Sequence, residues 1–214
     1  MVRHTFRSTL LLAAAAAVLG FSQPALAHKP AFSAGGYTAP QSAFVIEDVT
    51  HSMVLYQEIT CTAQQLWMRF DRAADVPLYV QLGVPAIARL TTYRPVVAVL
   101  APGLPAATGN VPFAIPEGYG MLLIEANAEP SVFDEPFTGT RSWVLREETL
   151  SLPQAGPGFI VAWHPEDVPG KLWVAVGTKE RFGLFDLLRF PGWRAEARRF
   201  HEVDGAAPPR AAAC

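Results

Sequence analysis

From residue 44 to residue 178 the chain is a succession of short runs of β-branched, aromatic and other apolar residues, broken by proline and glycine. Runs punctuated in this way predict strands. They fall at 44–46, 53–59, 65–70, 78–84, 96–100, 121–125, 143–145, 149–152, 159–163 and 172–176. Leu78-Tyr79-Val80-Gln81-Leu82 and Lys171-Leu172-Trp173-Val174-Ala175-Val176 read as one face in a core and one nearer solvent. With so many short strands and few helical windows, the pattern predicts an all-β fold, an antiparallel jelly-roll-like β-sandwich, rather than an α/β protein. Trp67, Phe70, Leu82, Val99, Trp163 and Val176 each sit in such a run, and are expected to share one core between the sheets.

The period changes near the C-terminal end. Phe182, Phe185 and Leu188, then Trp193, Ala197 and Phe200, follow helical spacing on either side of Pro191-Gly192, which predicts two short helices divided by that break. Residues 101–120 and 126–141 lack a clear period and read as long loops; the second carries Glu129, Asp134 and Glu135 with Phe133 and Phe137 among them. Residues 204–214, rich in Ala and Pro, read as a disordered tail.

The first 27 residues have a different pattern. Arg3 and Arg7 precede an apolar run from Leu10 to Phe21, and Ala25-Leu26-Ala27 follows, the basic start, hydrophobic middle and cleavage site of a secretory signal peptide. The expected organisation is a signal peptide at 1–27, an N-terminal arm at 28–43 that begins flexibly at Lys29-Pro30, a β-sandwich domain at 44–178, a helical appendage at 179–203 and the tail. An exported protein, periplasmic or secreted after cleavage at Ala27, is thus expected. Later apolar stretches are interrupted within about ten residues, short of the roughly 20 that a helix needs to cross a bilayer. Of the two cysteines, Cys61 and Cys214, the first is expected to be buried and the second free on the tail, although export would let a disulfide persist.

Cleavage would leave 15 basic and 19 acidic side chains, a net charge of −4. No basic surplus is present to hold a nucleic-acid backbone, so nucleic acid is excluded as a partner. It would also place His28 at the new N-terminus, where amine and imidazole together suit copper. A histidine brace needs a second imidazole, so His28, His51 and His164 form the candidate metal set. Adjacent acidic pairs such as Glu47-Asp48 and Glu166-Asp167 make calcium the other candidate cation, though no Asp-x-Asp-x-Asp-Gly loop exists. There is no Gly-x-Ser-x-Gly elbow of a serine hydrolase. Trp143, Trp163 and Trp173 either pack in the core or, turned outward, make a platform for a ligand. The apolar side chains of 181–200, with Arg189, Arg194, Arg198 and Arg199, are expected to dock onto the sandwich or an anionic membrane surface.

Three stretches carry a resemblance to the pre-peptidase C-terminal type of exported bacterial β-sandwich. Leu66-Trp67-Met68-Arg69-Phe70 followed by Asp75-Val76-Pro77-Leu78-Tyr79-Val80-Gln81-Leu82 resembles that family's aromatic strand, turn and second strand. Arg94-Pro95-Val96-Val97-Ala98-Val99-Leu100 resembles its next core strand, and residues 148–163 with 170–176 its closing hairpin. The resemblance covers about two thirds of the chain after residue 27 and implies a jelly-roll module appended to extracellular proteins. Combined with the absent catalytic motifs, it makes the expected function a non-catalytic binding or accessory module of the cell envelope, with an envelope ligand or protein as partner. A copper-binding or copper-dependent protein built on His28 is the alternative.

Overall fold

A computed structural model describes residues 28–205; the expected signal peptide and most of the expected tail lie outside them. Eleven strands form two facing sheets: β1 (Lys29–Phe32), β2 (Phe44–Val45), β3 (Met53–Ile59), β4 (Gln65–Arg72), β5 (Leu78–Pro85), β6 (Val96–Ala101), β7 (Gly120–Ile124), β8 (Ser131–Glu135), β9 (Thr140–Leu150), β10 (Gly156–Trp163) and β11 (Gly170–Val176), followed by the helix α1 (Leu184–Phe200). The six-stranded sheet has the order β1-β3-β11-β5-β9-β8 and the five-stranded sheet β2-β4-β10-β6-β7. From β1 to β6, successive strands alternate between the sheets. The fold is the expected all-β sandwich with a helical appendage, and its pairing is antiparallel except where β1 and β2 join β3 and β4 in parallel.

Between the sheets lies a core of alternate residues, including Leu66, Met68 and Phe70 of β4 and Leu172, Val174 and Val176 of β11. Side chains of a strand point alternately to opposite faces, so Trp67 must leave this core. It does so: Trp67 and Trp163 are buried with Ala98, Leu100 and Phe159 on the outward face of the five-stranded sheet, beneath Val111, Phe113 and Ile115 of the loop 102–119. Phe70, Leu82, Val99 and Val176 occupy the inter-sheet core as expected, but the two tryptophans form a second one. The sheets are covered on both sides, which is why every residue of β6 is buried and the central strands read as nearly continuous apolar runs.

Other departures have local causes. Lys29–Phe32, expected within a flexible arm, is an edge strand whose backbone pairs with β3 from Met53 to Tyr56. β8 lies in a stretch expected to be loop; its acidic residues obscured the pattern, yet Asp134 sits opposite Arg141 and accepts from both its Nε (2.6 Å) and Nη2 (3.0 Å). The two runs at 143–145 and 149–152 meet in one long strand that continues through the charged residues Arg146, Glu147 and Glu148, which are half-buried or exposed: Arg146 pairs with Glu148, and Glu147 accepts from Gln81 across the sheet. α1 is one helix rather than two. Pro191 removes a hydrogen bond to the carbonyl of Leu187, but both residues are exposed, so water satisfies that carbonyl and the helix continues. Cys61 is exposed and disulfide-bonded, not a buried thiol. It lies at the tip of a turn closed by hydrogen bonds in both directions between Thr60 and Ala63 (3.1 Å each); Cys214 lies outside the described residues.

Arg72 secures the end of β4 from inside. Its buried guanidinium donates from Nη1 to the carbonyls of Ala73, Ala74 and Val76 and from Nη2 to those of Leu152 and Gln154. Backbone carbonyls of two turns are thereby satisfied by one side chain.

Candidate functional site

The outward face of the six-stranded sheet is apolar from β3 across β11 and β5 to β9: Val54, Val144, Trp173 and Ala175 are buried there, with Tyr56, Phe133 and Phe200 packed around them. α1 crosses this face and encloses a cavity of about 200 Å³ against it. Val54, Tyr56, Phe133 and Trp173 make the floor, and Phe182, Phe190, Trp193 and Ala197 the roof. Phe190 is the centre of the roof, with ring centroids 5.0 Å from Phe137, 5.6 Å from Phe182 and 5.7 Å from Trp193.

A glycine sets the depth of the floor. The Trp173 indole lies directly on Gly83 of β5, where a Cβ would stand 2.1 Å from Trp173 Cζ2. Gly83 also marks a register shift between β5 and β9, so the local twist of the sheet and the seat of the indole share one cause.

Polar groups line part of the cavity: His28, Gln81, Glu135, Thr138, Thr140 and Ser142. Glu135 accepts from the backbone N–H groups of Phe137 (2.9 Å) and Thr138 (2.6 Å) and from the Thr138 hydroxyl. The turn between β8 and β9 therefore fixes its carboxylate. His28 Nδ1 lies 2.5 Å from the hydroxyl of Ser52. Burial pulls the His28 pKa below its ordinary value, against the opposing negative charges of Glu180, Glu135 and Glu147. Burial also pushes the Tyr56 phenol up, which keeps it neutral.

Beside the cavity, Ser142 joins sheet to helix. Ala197 has only a carbonyl to offer His201 Nδ1 at 2.8 Å, so Nδ1 carries the proton and Nε2 is the acceptor. Ser142 donates to that Nε2 (3.0 Å) and accepts from Trp173 Nε1 (3.1 Å). The His201 pKa falls to about 4, chiefly through burial and further through Lys171, while Ala197 and Glu135 act in the opposite sense. Lys171, also buried, donates to the carbonyl of Phe200 (2.9 Å) and pairs with Glu202 (3.0 Å), which Arg89 grips as well. The other end of α1 is held more lightly: Asp186 accepts from the N–H of Gly183 (2.9 Å) and pairs with Lys29 of β1 (3.0 Å).

The residues singled out in the sequence are dispersed. Of the metal set, His28 lines the cavity, His51 faces a separate surface groove and approaches Asp48 (3.4 Å), and buried His164 stacks on Tyr93 with centroids 4.6 Å apart. Among the described residues no group of three or more His, Cys, Asp or Glu side chains is gathered as a metal ion requires. The tryptophans do not form a platform: Trp143 packs toward the inter-sheet core, Trp163 lies under the loop 102–119 and Trp173 is the cavity floor. The segment 181–200 docks onto the sandwich through Phe190, Trp193 and Ala197. The Ser142–Trp173–His201 clasp was not apparent in the sequence, because its members lie on three elements and match no spacing motif. Compared with models of known protein families and with curated proteins, the chain matches none.

Proposed function

We propose that this chain is an exported, non-catalytic binding module of the cell envelope whose ligand is a compact, uncharged apolar group held between the six-stranded sheet and α1. The observation that carries this reading is the cavity itself, with aromatic walls on both sides and hydrogen-bonding groups among its lining residues. Such a combination of apolar surface and a few placed polar groups is the usual form of a small-molecule site. Its size narrows the ligand. A cavity of about 150 Å³ takes up benzene, so about 200 Å³ suits a substituted ring or a short alkyl segment and excludes a whole lipid. Glu135, Glu147 and Glu180 act on His28 together, and their negative field opposes an anionic head group.

The export half of the proposal rests on the leader pattern of residues 1–27 and is supported by the disulfide at Cys61, since such bonds persist in oxidising compartments. The resemblance to pre-peptidase C-terminal modules supports an accessory role. Fluorescence titration with 1-naphthylamine, which is compact and neutral at pH 7, tests the site. Saturable uptake is expected, lost in Val54→Trp, which fills the floor, with cooperative unfolding retained. A folded parent protein that takes up no compact apolar probe refutes the reading. Intact mass of the exported protein should correspond to a start at His28.

A further inference from the structure

The first two turns of α1 turn Asp186 and Phe190 toward the sandwich. Leu184, Phe185, Leu187 and Leu188 point away from the sandwich and are 79, 79, 53 and 80% exposed. Side chains of about 150–200 Å² each at those exposures present roughly 500 Å² of apolar surface, the size at which a patch on a soluble protein marks an interaction site.

Charge identifies what covers it. Arg181, Arg189, Arg194 and Arg199 are exposed on or beside the same helix. Most acidic groups of this segment are engaged elsewhere: Asp186 with Lys29, Glu202 with Arg89 and Lys171, and Asp204 with Arg198. Glu180, next to Arg181, and Glu196, on the helix, are exposed carboxylates beside the arginines. An otherwise acidic protein thus surrounds its most exposed apolar side chains with arginines. Area argues against a second copy: two such patches face to face would bury about 1,000 Å², below the roughly 1,200–2,000 Å² of a stable specific interface. No helix among the described residues is long and apolar enough to cross a membrane, so α1 would lie on one.

We propose that the outward face of α1 seats on an anionic membrane surface, with Leu184, Phe185 and Leu188 entering the acyl boundary and the arginines meeting lipid phosphates. The cavity then lies directly behind the membrane-facing helix. This docking is independent of what the cavity holds.

The test is co-sedimentation with vesicles of phosphatidylcholine, with and without phosphatidylglycerol, at low and raised salt. It uses the chain beginning at His28, which contains every described element of the fold. Binding is expected with the phosphatidylglycerol vesicles alone. It should be abolished by Leu184→Asp with Leu188→Asp, and weakened at least about fivefold by Arg189→Glu, since the loss of one arginine's contribution at such a surface accounts for that factor before the added repulsion. Thermal unfolding and naphthylamine uptake, measured on each variant, report separately on fold and cavity; if the leucine variant misfolds, Arg189→Glu and Arg194→Glu carry the test. Three results would overturn the proposal: parent protein left in the supernatant, equal binding to both vesicle types, or a dimer in sedimentation velocity that the leucine substitutions dissolve.

Discussion

Acidification should loosen the end of α1 through one side chain, His201. Its unfolded pKa is about 6.5 and its folded value about 4. Because the folded value is depressed, the unfolded chain binds more protons between these limits, and stability must fall as pH falls through that window. The difference of about 2.5 pH units corresponds to about 3 kcal/mol once pH is below both values, of which about 2.5 kcal/mol is already lost at about pH 4.5. The structural reason is explicit: an imidazolium cannot accept from Ser142, and it would lie buried near the Lys171 ammonium. His28 and His164 are depressed in the same direction, so the parent's pH dependence alone does not isolate His201. The carboxylates with lowered values, among them Asp186 and Glu202, lose their contributions at lower pH. Urea unfolding of the parent and His201→Gln at a series of pH values from about 7.5 to about 4.5 separates the contributions, provided the m-value stays constant. The parent should lose about 2.5 kcal/mol more than the variant over that range. A stability difference that stays the same at every pH would refute the argument.

Three further changes probe the scaffold. Gly83→Ala places a methyl group 2.1 Å from Trp173 Cζ2, so the indole must move; denaturant unfolding should show a loss of about 1–3 kcal/mol, and naphthylamine uptake should fall with the displaced floor. Arg72→Met removes the donor for five carbonyls and should lower stability by more than about 3 kcal/mol, with no offset on adding salt because its partners are uncharged. Trp163→Ala empties the space against the Phe113 ring, whose centroid lies 5.1 Å away, and should destabilise by about 3–5 kcal/mol; an unchanged denaturation midpoint would mean that the loop 102–119 does not keep it buried.

Strands whose apolar runs are bounded by Pro and Gly were legible, and the central ones other than β9 appear where the pattern predicts. What the pattern could not assign was the face. Leu66-Trp67-Met68 reads as uniformly apolar because Leu66 and Met68 meet the opposite sheet while Trp67 meets a loop, and one-dimensional hydropathy does not distinguish a covering sheet from a covering loop. The edge strands of the six-stranded sheet were missed for the opposite reason: β1 contains Pro30 and β8 contains Asp134 and Glu135, residues tolerated where one side of the ladder is open. The helical segment was legible as apolar, and the expectation of two helices failed because Pro191 faces water. Of the cavity, only His28 and Trp173 had been singled out as site residues. Ser142 and His201 are 59 positions apart, and nothing in their local neighbourhoods distinguishes them from ordinary polar residues.

The cavity draws its walls from both ends of the described chain, since His28 and Pro30 line it together with Phe190, Trp193 and Ala197. That sets a sequence in time. A chain that folds from its N-terminal end can pair β1 with β3 early, but β11 must arrive before the floor is complete, and the roof comes only after that. During the interval the aromatic floor is an open shelf facing water, sticky toward other chains and equally accessible to a ligand. Loading would then require no gate in the finished molecule: a guest present while the last segment settles would be enclosed as the chain completes itself.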